Sequence, residues 1–197
     1  MPPLDLSFVT SAPDVAGLPP SPAEVAVIGR SNVGKSSLLN ALAGRRQLAH
    51  TSKTPGRTRL LNCFAVPSGA TLVDLPGYGY AKVSAKDREA WRRRLHAYLR
   101  ERGVLVMTLA LVDGEVGPTR LDVDMLAWLR DQQVPFQVVA TKHDKVRSSQ
   151  RARRRRDLAA GCGVEPGEVV WVSAHTGTNI DRLRRLVIGW LGVADPG

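Results

Sequence analysis

Two hydrophobic periods alternate along the chain. EVAVIG at 24–29, VLVMTLALV at 104–112, PFQVVAT at 135–141 and EVVWVSA at 168–174 are short apolar runs bounded by turn formers, the pattern of buried strands. RLLNCFAV at 59–66 and TLVDL at 71–75 flank Pro67-Ser68-Gly69-Ala70, which predicts an antiparallel hairpin. Between these runs the spacing is helical. SSLLNALAG at 36–44 follows the first strand. Ser84 and Asp87 start a helix with Trp91, Leu95 and Leu99 on one face, stopped at Gly103. Pro118 opens a helix expected to turn Leu121, Met125, Trp128 and Leu129 inward. Another helix carries the basic run after Arg147, and Thr178 with Asp181 predicts a capping box before a helix that buries Ile180, Leu183, Val187 and Trp190. About six strands and five helices result. The expected class is α/β, a mostly parallel six-stranded sheet with helices on both faces.

Residues 1–22 differ in character. Pro2, Pro3, Pro13, Pro19, Pro20 and Pro22 remove amide donors and hold φ near −65°, predicting an extended arm lying on or off the domain. The remainder, 23–195, is expected to be one domain. Its 197-residue length, 43% hydrophobic and 23% charged content suit a globular chain with a single core. No apolar run reaches the length of a membrane span, and the N-terminus lacks the charge and apolar stretch of a secretory leader. Cys63 and Cys162 stand alone, without disulfide or zinc spacing, so a cytoplasmic location is expected.

The strongest chemical signal is Gly29-Arg30-Ser31-Asn32-Val33-Gly34-Lys35-Ser36, a G-x-x-x-x-G-K-[ST] loop between a predicted strand and a predicted helix. Glycines let the backbone curl its N–H groups around phosphate oxygens, and the helix start adds its positive dipole end. Lys35 is expected to reach the β- and γ-phosphates, and Ser36 to ligate Mg²⁺. Three further motifs follow in order, each after a strand. Asp74-Leu75-Pro76-Gly77 matches D-x-x-G: Asp74 would hold Mg²⁺ through water, and the Gly77 amide would sense the γ-phosphate. Thr141-Lys142-His143-Asp144 matches N/T-K-x-D, in which the Asp144 carboxylate accepts from guanine N1–H and N2–H, while the Lys142 stem lies along the base. Ser173-Ala174-His175 supplies a backbone amide for guanine O6. Each motif alone is weak, but four in order point to a GTPase. Thr51, Thr54 and Thr58 lie in a loop rich in turn formers, and Thr58, just ahead of the next strand, is the choice to complete the Mg²⁺ shell.

GRSNVGKSS, TSKTPGRT, LVDLPGYGYAKVS and TKHDK, spanning about Glu24 to Lys145, resemble the EngB group of bacterial ribosome-assembly GTPases. The resemblance implies a Ras-like P-loop GTPase fold, GTP and GDP as ligands, Mg²⁺, slow hydrolysis, and a switch role in maturing the large ribosomal subunit, with a link to cell division. It also implies that Gly56, Arg57, Thr58, Arg59 and Leu60 touch nucleotide along with the 74–77 loop. Departures from the group pattern are His143, expected to face solvent, Glu115, and Cys63 in place of an aromatic.

Tyr78 stands where many GTPases have a Gln that orients the attacking water. Unassisted turnover is therefore expected to be slow, and Asn32 is the candidate holder of a K⁺ ion. Tyr78 and Tyr80 are either packed in place or, given the glycines beside them, part of a mobile segment. Lys and Arg total 28 against 18 Asp and Glu, a net charge of +10. The excess gathers at Arg92–Arg94 and at Arg147, Arg151 and Arg153–Arg156, and points to rRNA phosphates rather than DNA or a membrane. The expected partner is a large-subunit precursor (rRNA and ribosomal proteins), met by a monomer. Two rival functions remain at this point: an RNA-binding assembly factor with little turnover, and a signalling GTPase with a protein partner.

Overall fold

The computed structural model describes residues 1–49, 60–79 and 85–193. The strands are β1 (Ser7–Ala12), β2 (Glu24–Gly29), β3 (Leu61–Ala65), β4 (Thr71–Asp74), β5 (Leu105–Asp113), β6 (Phe136–Thr141) and β7 (Val170–Trp171). The longer helices are α1 (Lys35–Leu42), α2 (Ala85–Glu101), α3 (Arg120–Asp131), α4 (Arg151–Cys162) and α5 (Ile180–Leu191). The sheet order is β1-β3-β4-β2-β5-β6-β7. β2 pairs in parallel with β4 and β5, and β6 in parallel with β5 and β7. The β3–β4 hairpin and β1 run antiparallel at one edge.

Strand alternation divides the core into two layers. Val25 and Val27 of β2 pack with Leu38, Leu39 and Leu42 of α1 and Leu183 and Val187 of α5. Ala26 and Ile28 face the opposite way, toward Leu95 and Leu99 of α2, Leu126 and Leu129 of α3 and Leu158 of α4. All six residues of β2 are buried, as a central parallel strand covered on both sides requires. At the lower edge Glu24, fully buried, accepts from Tyr98 Oη at 2.6 Å, Thr71 Oγ1 at 2.7 Å and Arg102 Nε at 3.0 Å. Its charge is matched on each side, which makes such deep burial tolerable.

The sheet has seven strands where six are expected from the pattern. Pro3 and Pro13 bracket nine proline-free residues, whose amides are therefore available for a ladder, and Ser7–Ala12 pairs along β3. The arm lies on the domain: Leu4 and Leu6 are buried, and Leu4 N donates to Leu42 O at 2.9 Å. Three local expectations also change. Leu121 is exposed, because α3 turns Asp122 inward beside Met125 and Leu129. The capping box at Thr178 and Asp181 does not form; Asn179 precedes α5 in the left-handed conformation, and Asp181 pairs instead with Arg184 Nη1 at 2.8 Å. The final strand is two residues long, since Pro166–Glu168 forms a 3₁₀ turn. Ser84 and Tyr80 lie outside the described residues.

Candidate nucleotide-binding site

β2, β4, β5 and β6 are parallel and end at one edge, so the loops leaving Gly29, Asp74, Asp113 and Thr141 converge there. The first loop turns through Asn32 (φ 64°) and Gly34 (φ 106°) into α1, so that Lys35 is the first helical residue. A side chain at Gly34 would be strained by that φ. Val33 is buried under the loop, and its carbonyl accepts from Thr141 Oγ1 at 2.7 Å. Thr141 thus ties the phosphate loop to the base loop, a link that the motif pattern does not reveal.

A cavity of about 1120 Å³ opens at this edge. Arg30, Ser31, Asn32, Gly34, Lys35, Ser36, Leu60, Asp74, Leu75, Pro76, Gly77 and Lys142 border it, all of them candidates from the sequence. Gly29, Val33, Thr141, His143, Asp144, Ser173, Ala174 and His175 are not among the residues that line it. Gly56, Arg57, Thr58 and Arg59 lie outside the described residues, as do Thr51 and Thr54.

At the phosphate end Lys35 Nζ stands 3.3 Å from Asp74 Oδ1. Burial pushes the Asp74 pKa up, while Lys35 and the Asn62 amide act against that rise. Asp74 Oδ1 is nonetheless buried without a hydrogen-bond partner. An unpaired carboxylate oxygen facing a cavity that Ser36 also borders suits a hard, oxygen-seeking cation, so the residues present fit Mg²⁺. Gly77 packs closely on the phosphate loop: a Cβ there would meet Ser31 N at 3.1 Å and Gly29 O at 3.3 Å.

Tyr78 is packed in place, while Tyr80, which shares its segment, lies outside the described residues. The Tyr78 carbonyl accepts from Ser31 N at 2.9 Å and Ser31 Oγ at 3.1 Å, and its amide donates to Gly29 O at 3.2 Å. The ring is buried, and its hydroxyl donates to Asp122 Oδ1 at 2.8 Å. Asp122 also caps α3 through Thr119. The phenol points into the core, as expected of a residue that does not orient water.

The base end is paired in advance. Ser173 Oγ donates to Asp144 Oδ1 at 2.6 Å and is the main reason the Asp144 pKa lies below the usual carboxylate value. An ionised, acceptor-only Asp144 is what a pair of guanine donors requires. Thr176 N in turn donates to Ser173 Oγ at 3.1 Å, which orients the hydroxyl. Lys142, at φ 56°, places Nζ 2.7 Å from Asp113 Oδ2, whose other oxygen accepts from Glu115 N and Val116 N. Asp113, the partner that holds Lys142, is not among the motif residues; its signal in the sequence is a carboxylate ending the strand beside β6, opposite Thr141 in register. Ala174 and the exposed His175 follow Ser173 in a turn at the same edge.

His143 does not face solvent. It is buried, edge-on to Trp171 at 5.8 Å between ring centroids, and its amide donates to Val172 O at 3.0 Å. Burial, then Arg151 and Arg155, hold its pKa down. The imidazole packs the base loop against β7.

Comparison with known proteins agrees with this geometry. Residues 24–142 match the model of the MMR_HSR1 family, described as 50S ribosome-binding GTPase. The chain is 46% identical over 189 residues to a probable GTP-binding protein EngB of Pelotomaculum thermopropionicum, covering 95% of this chain and 96% of that one. It is 52% identical over 136 residues to its counterpart in Thermotoga maritima, covering 69% of each chain. Among solved structures, a probable GTP-binding protein engB superposes with a TM-score of 0.68 at 25% identity, covering 86% of this chain and 99% of that one. Era in complex with MgGDPNP and a segment of 16S ribosomal RNA gives 0.65 at 26% identity, covering 89% of this chain and 58% of that one. With the motifs assembled at one sheet edge and this similarity along nearly its whole length, the chain belongs to the EngB family of GTP-binding proteins, within the P-loop GTPases.

Proposed function

We propose that this protein is a Mg²⁺-dependent GTP switch in assembly of the large ribosomal subunit, acting as a cytoplasmic monomer. The observation that carries the nucleotide half of this reading is one cavity bordered by the phosphate loop, Asp74–Gly77 and Lys142, with Asp144, paired to Ser173, two residues beyond Lys142. Gly34 and Lys35 receive the phosphates, Gly77 senses the γ-phosphate, and Asp144 with the Ser173–His175 turn selects guanine. Ser36 and Asp74 hold Mg²⁺, with Thr58 completing the shell. Mg²⁺ supplies charge neutralisation across the β- and γ-phosphates. Residues 23–195 act as one G domain carrying the 1–22 arm.

Hydrolysis is slow because Tyr78 is committed to Asp122 and provides no water-orienting group. Asn32, which borders the cavity, would hold K⁺. Turnover faster in K⁺ than in Na⁺, with the difference lost in Asn32→Ala, tests this; equal rates in both salts refute it.

The ribosomal half rests on family membership and on charge. Relatives in this family are described as 50S ribosome-binding, and Era has been captured with ribosomal RNA. On α4, Arg153, Arg155 and Arg156 are exposed, with Arg147 exposed just before it; Asp157, 3.3 Å from Arg153, is the acidic partner on that face among the described residues. The helix lacks aromatics, so the contacts would be to phosphates. Co-sedimentation with large-subunit precursors should be stronger with a GTP analogue than with GDP. It should weaken, and lose salt dependence, when Arg153–Arg156 become Ala. Equal co-sedimentation of that variant at every salt concentration would leave the cluster a solvated face, and no association in either nucleotide state would favour a signalling role.

A further inference from the structure

Three strands present a row of polar side chains to the phosphate end of the cavity. Ser11 of β1 is the register partner of Asn62 of β3, and Asn62 is the register partner of Asp74 of β4. Register partners in antiparallel strands share a face, and all three residues border the cavity. The Ser11 hydroxyl donates to Asn62 Oδ1 at 2.7 Å. A primary amide whose oxygen is engaged on one side offers its NH₂ on the other, and an ionised carboxylate can only accept. Ser11 therefore settles which way the Asn62 amide faces, and the side turned toward Asp74 is the donor side.

This matters because the other group steadying Asp74 has a second commitment. Lys35 stands against Asp74 Oδ1. On the reading given above, the same ammonium serves the phosphates. When it turns to them, Asp74 loses its cationic neighbour and keeps only a neutral one. We propose that Asn62, oriented by Ser11, is a positioning residue that holds the Asp74 carboxylate for Mg²⁺, so that the N-terminal strand contributes to metal affinity. Ser11 lies outside the 24–142 span matched by the family model. The inference rests on the assignment of Asp74 to Mg²⁺.

The test is the dissociation rate of fluorescent GDP from the full chain, measured against free Mg²⁺. In wild type, retention should rise with Mg²⁺ to a plateau. Asn62→Ala should move the midpoint to higher Mg²⁺ by about tenfold, the lower end of the usual cost of removing a partner behind a metal ligand, with little change at the plateau. Ser11→Ala should move it the same way by a smaller factor, and Ser11→Thr, which keeps the hydroxyl on a β-favouring residue, should restore it. In an Asp74→Ala background, Asn62→Ala should add nothing, because its effect passes through the missing carboxylate. A purely structural role for the pair predicts a raised plateau rate and additivity with Asp74→Ala. Should Asn62→Ala fail to fold, the Ser11 pair on the exposed edge strand decides alone. Midpoints unchanged in folded variants overturn the proposal while leaving the Mg²⁺ assignment intact. A wild-type rate indifferent to Mg²⁺ overturns both.

Discussion

Asp144 and Lys142, just beyond the end of β6, are both paired, with Ser173 at 2.6 Å and Asp113 at 2.7 Å, and each partner is itself held by backbone amides. Asp74, the last residue of β4, is buried with one oxygen lacking a hydrogen bond among the described residues and with Lys35 as its neighbour. The difference separates two tasks. On the function proposed above, guanine selection would rest on these fixed pairs, because donors and acceptors must point the right way for a wrong base to be refused. The phosphate end holds a buried carboxylate with an oxygen that makes no hydrogen bond, an arrangement suited to a hard cation. On that same proposed function, specificity would rest on hydrogen bonds within the fold, and affinity on the groups at the phosphate end.

Three substitutions probe that contrast. The largest effect is expected for Lys35→Ala, which leaves Asp74 buried without its cation and removes the phosphate contact. GTP and GDP affinity should fall by about 100-fold, with no gain for any other base. Retention of near wild-type affinity in a fluorescent-nucleotide titration would show that the phosphate end is not ligand-dependent in this way.

Asp144→Asn should weaken GTP binding by about 30-fold, because a charged acceptor for two guanine donors becomes a neutral amide. It should also bind xanthosine nucleotides better than GTP, since the new NH₂ meets the xanthine O2. A competition assay between the two nucleotides decides it, and an unchanged preference for GTP removes Asp144 from the base site.

The smallest effect concerns pH. Ser173 lowers the Asp144 pKa, so the ionised form and its guanine contacts are present above the ordinary aspartate value of about 3.8 and are lost only as pH falls through the still lower folded value. Between pH 7 and pH 5, GTP over ATP selectivity should therefore be flat. In Ser173→Ala the acid limb should move to higher pH, and GTP affinity at pH 7 should drop by about fivefold as the carboxylate loses its orienting donor. Identical acid limbs in the two proteins would mean that the Ser173 hydroxyl does not govern Asp144.

The four nucleotide motifs, the hairpin and the five helices were all legible along the chain, because each is a local property. A P-loop is a run of eight residues between a strand and a helix, and hydrophobic period distinguishes the two elements within a dozen positions. Leu121 was misplaced because a Leu at helical spacing looks like core. The inward position belongs to Asp122, whose carboxylate is matched by Thr119 and by Tyr78 from 44 residues away. Tyr78 itself, between glycines, gave every local sign of mobility.

Residue identity and order thus suffice for the chemistry: which side chains can cradle phosphate, take a hard cation or accept from guanine is set by their functional groups and spacing. Which of those groups stand ready, and which stand unsatisfied, depends on contacts between distant segments. Ser173 meets Asp144 across 29 residues, Thr141 meets the Val33 carbonyl across 108, and Ser11 meets Asn62 across 51. Nothing in the composition of any of those segments encodes the meeting. It follows from the strand order β1-β3-β4-β2-β5-β6-β7, which brings the ends of parallel strands to one edge and lays an antiparallel arm beside them. Hydrogen bonds act over about 3 Å, so only packing can decide which polar groups are close enough to use one.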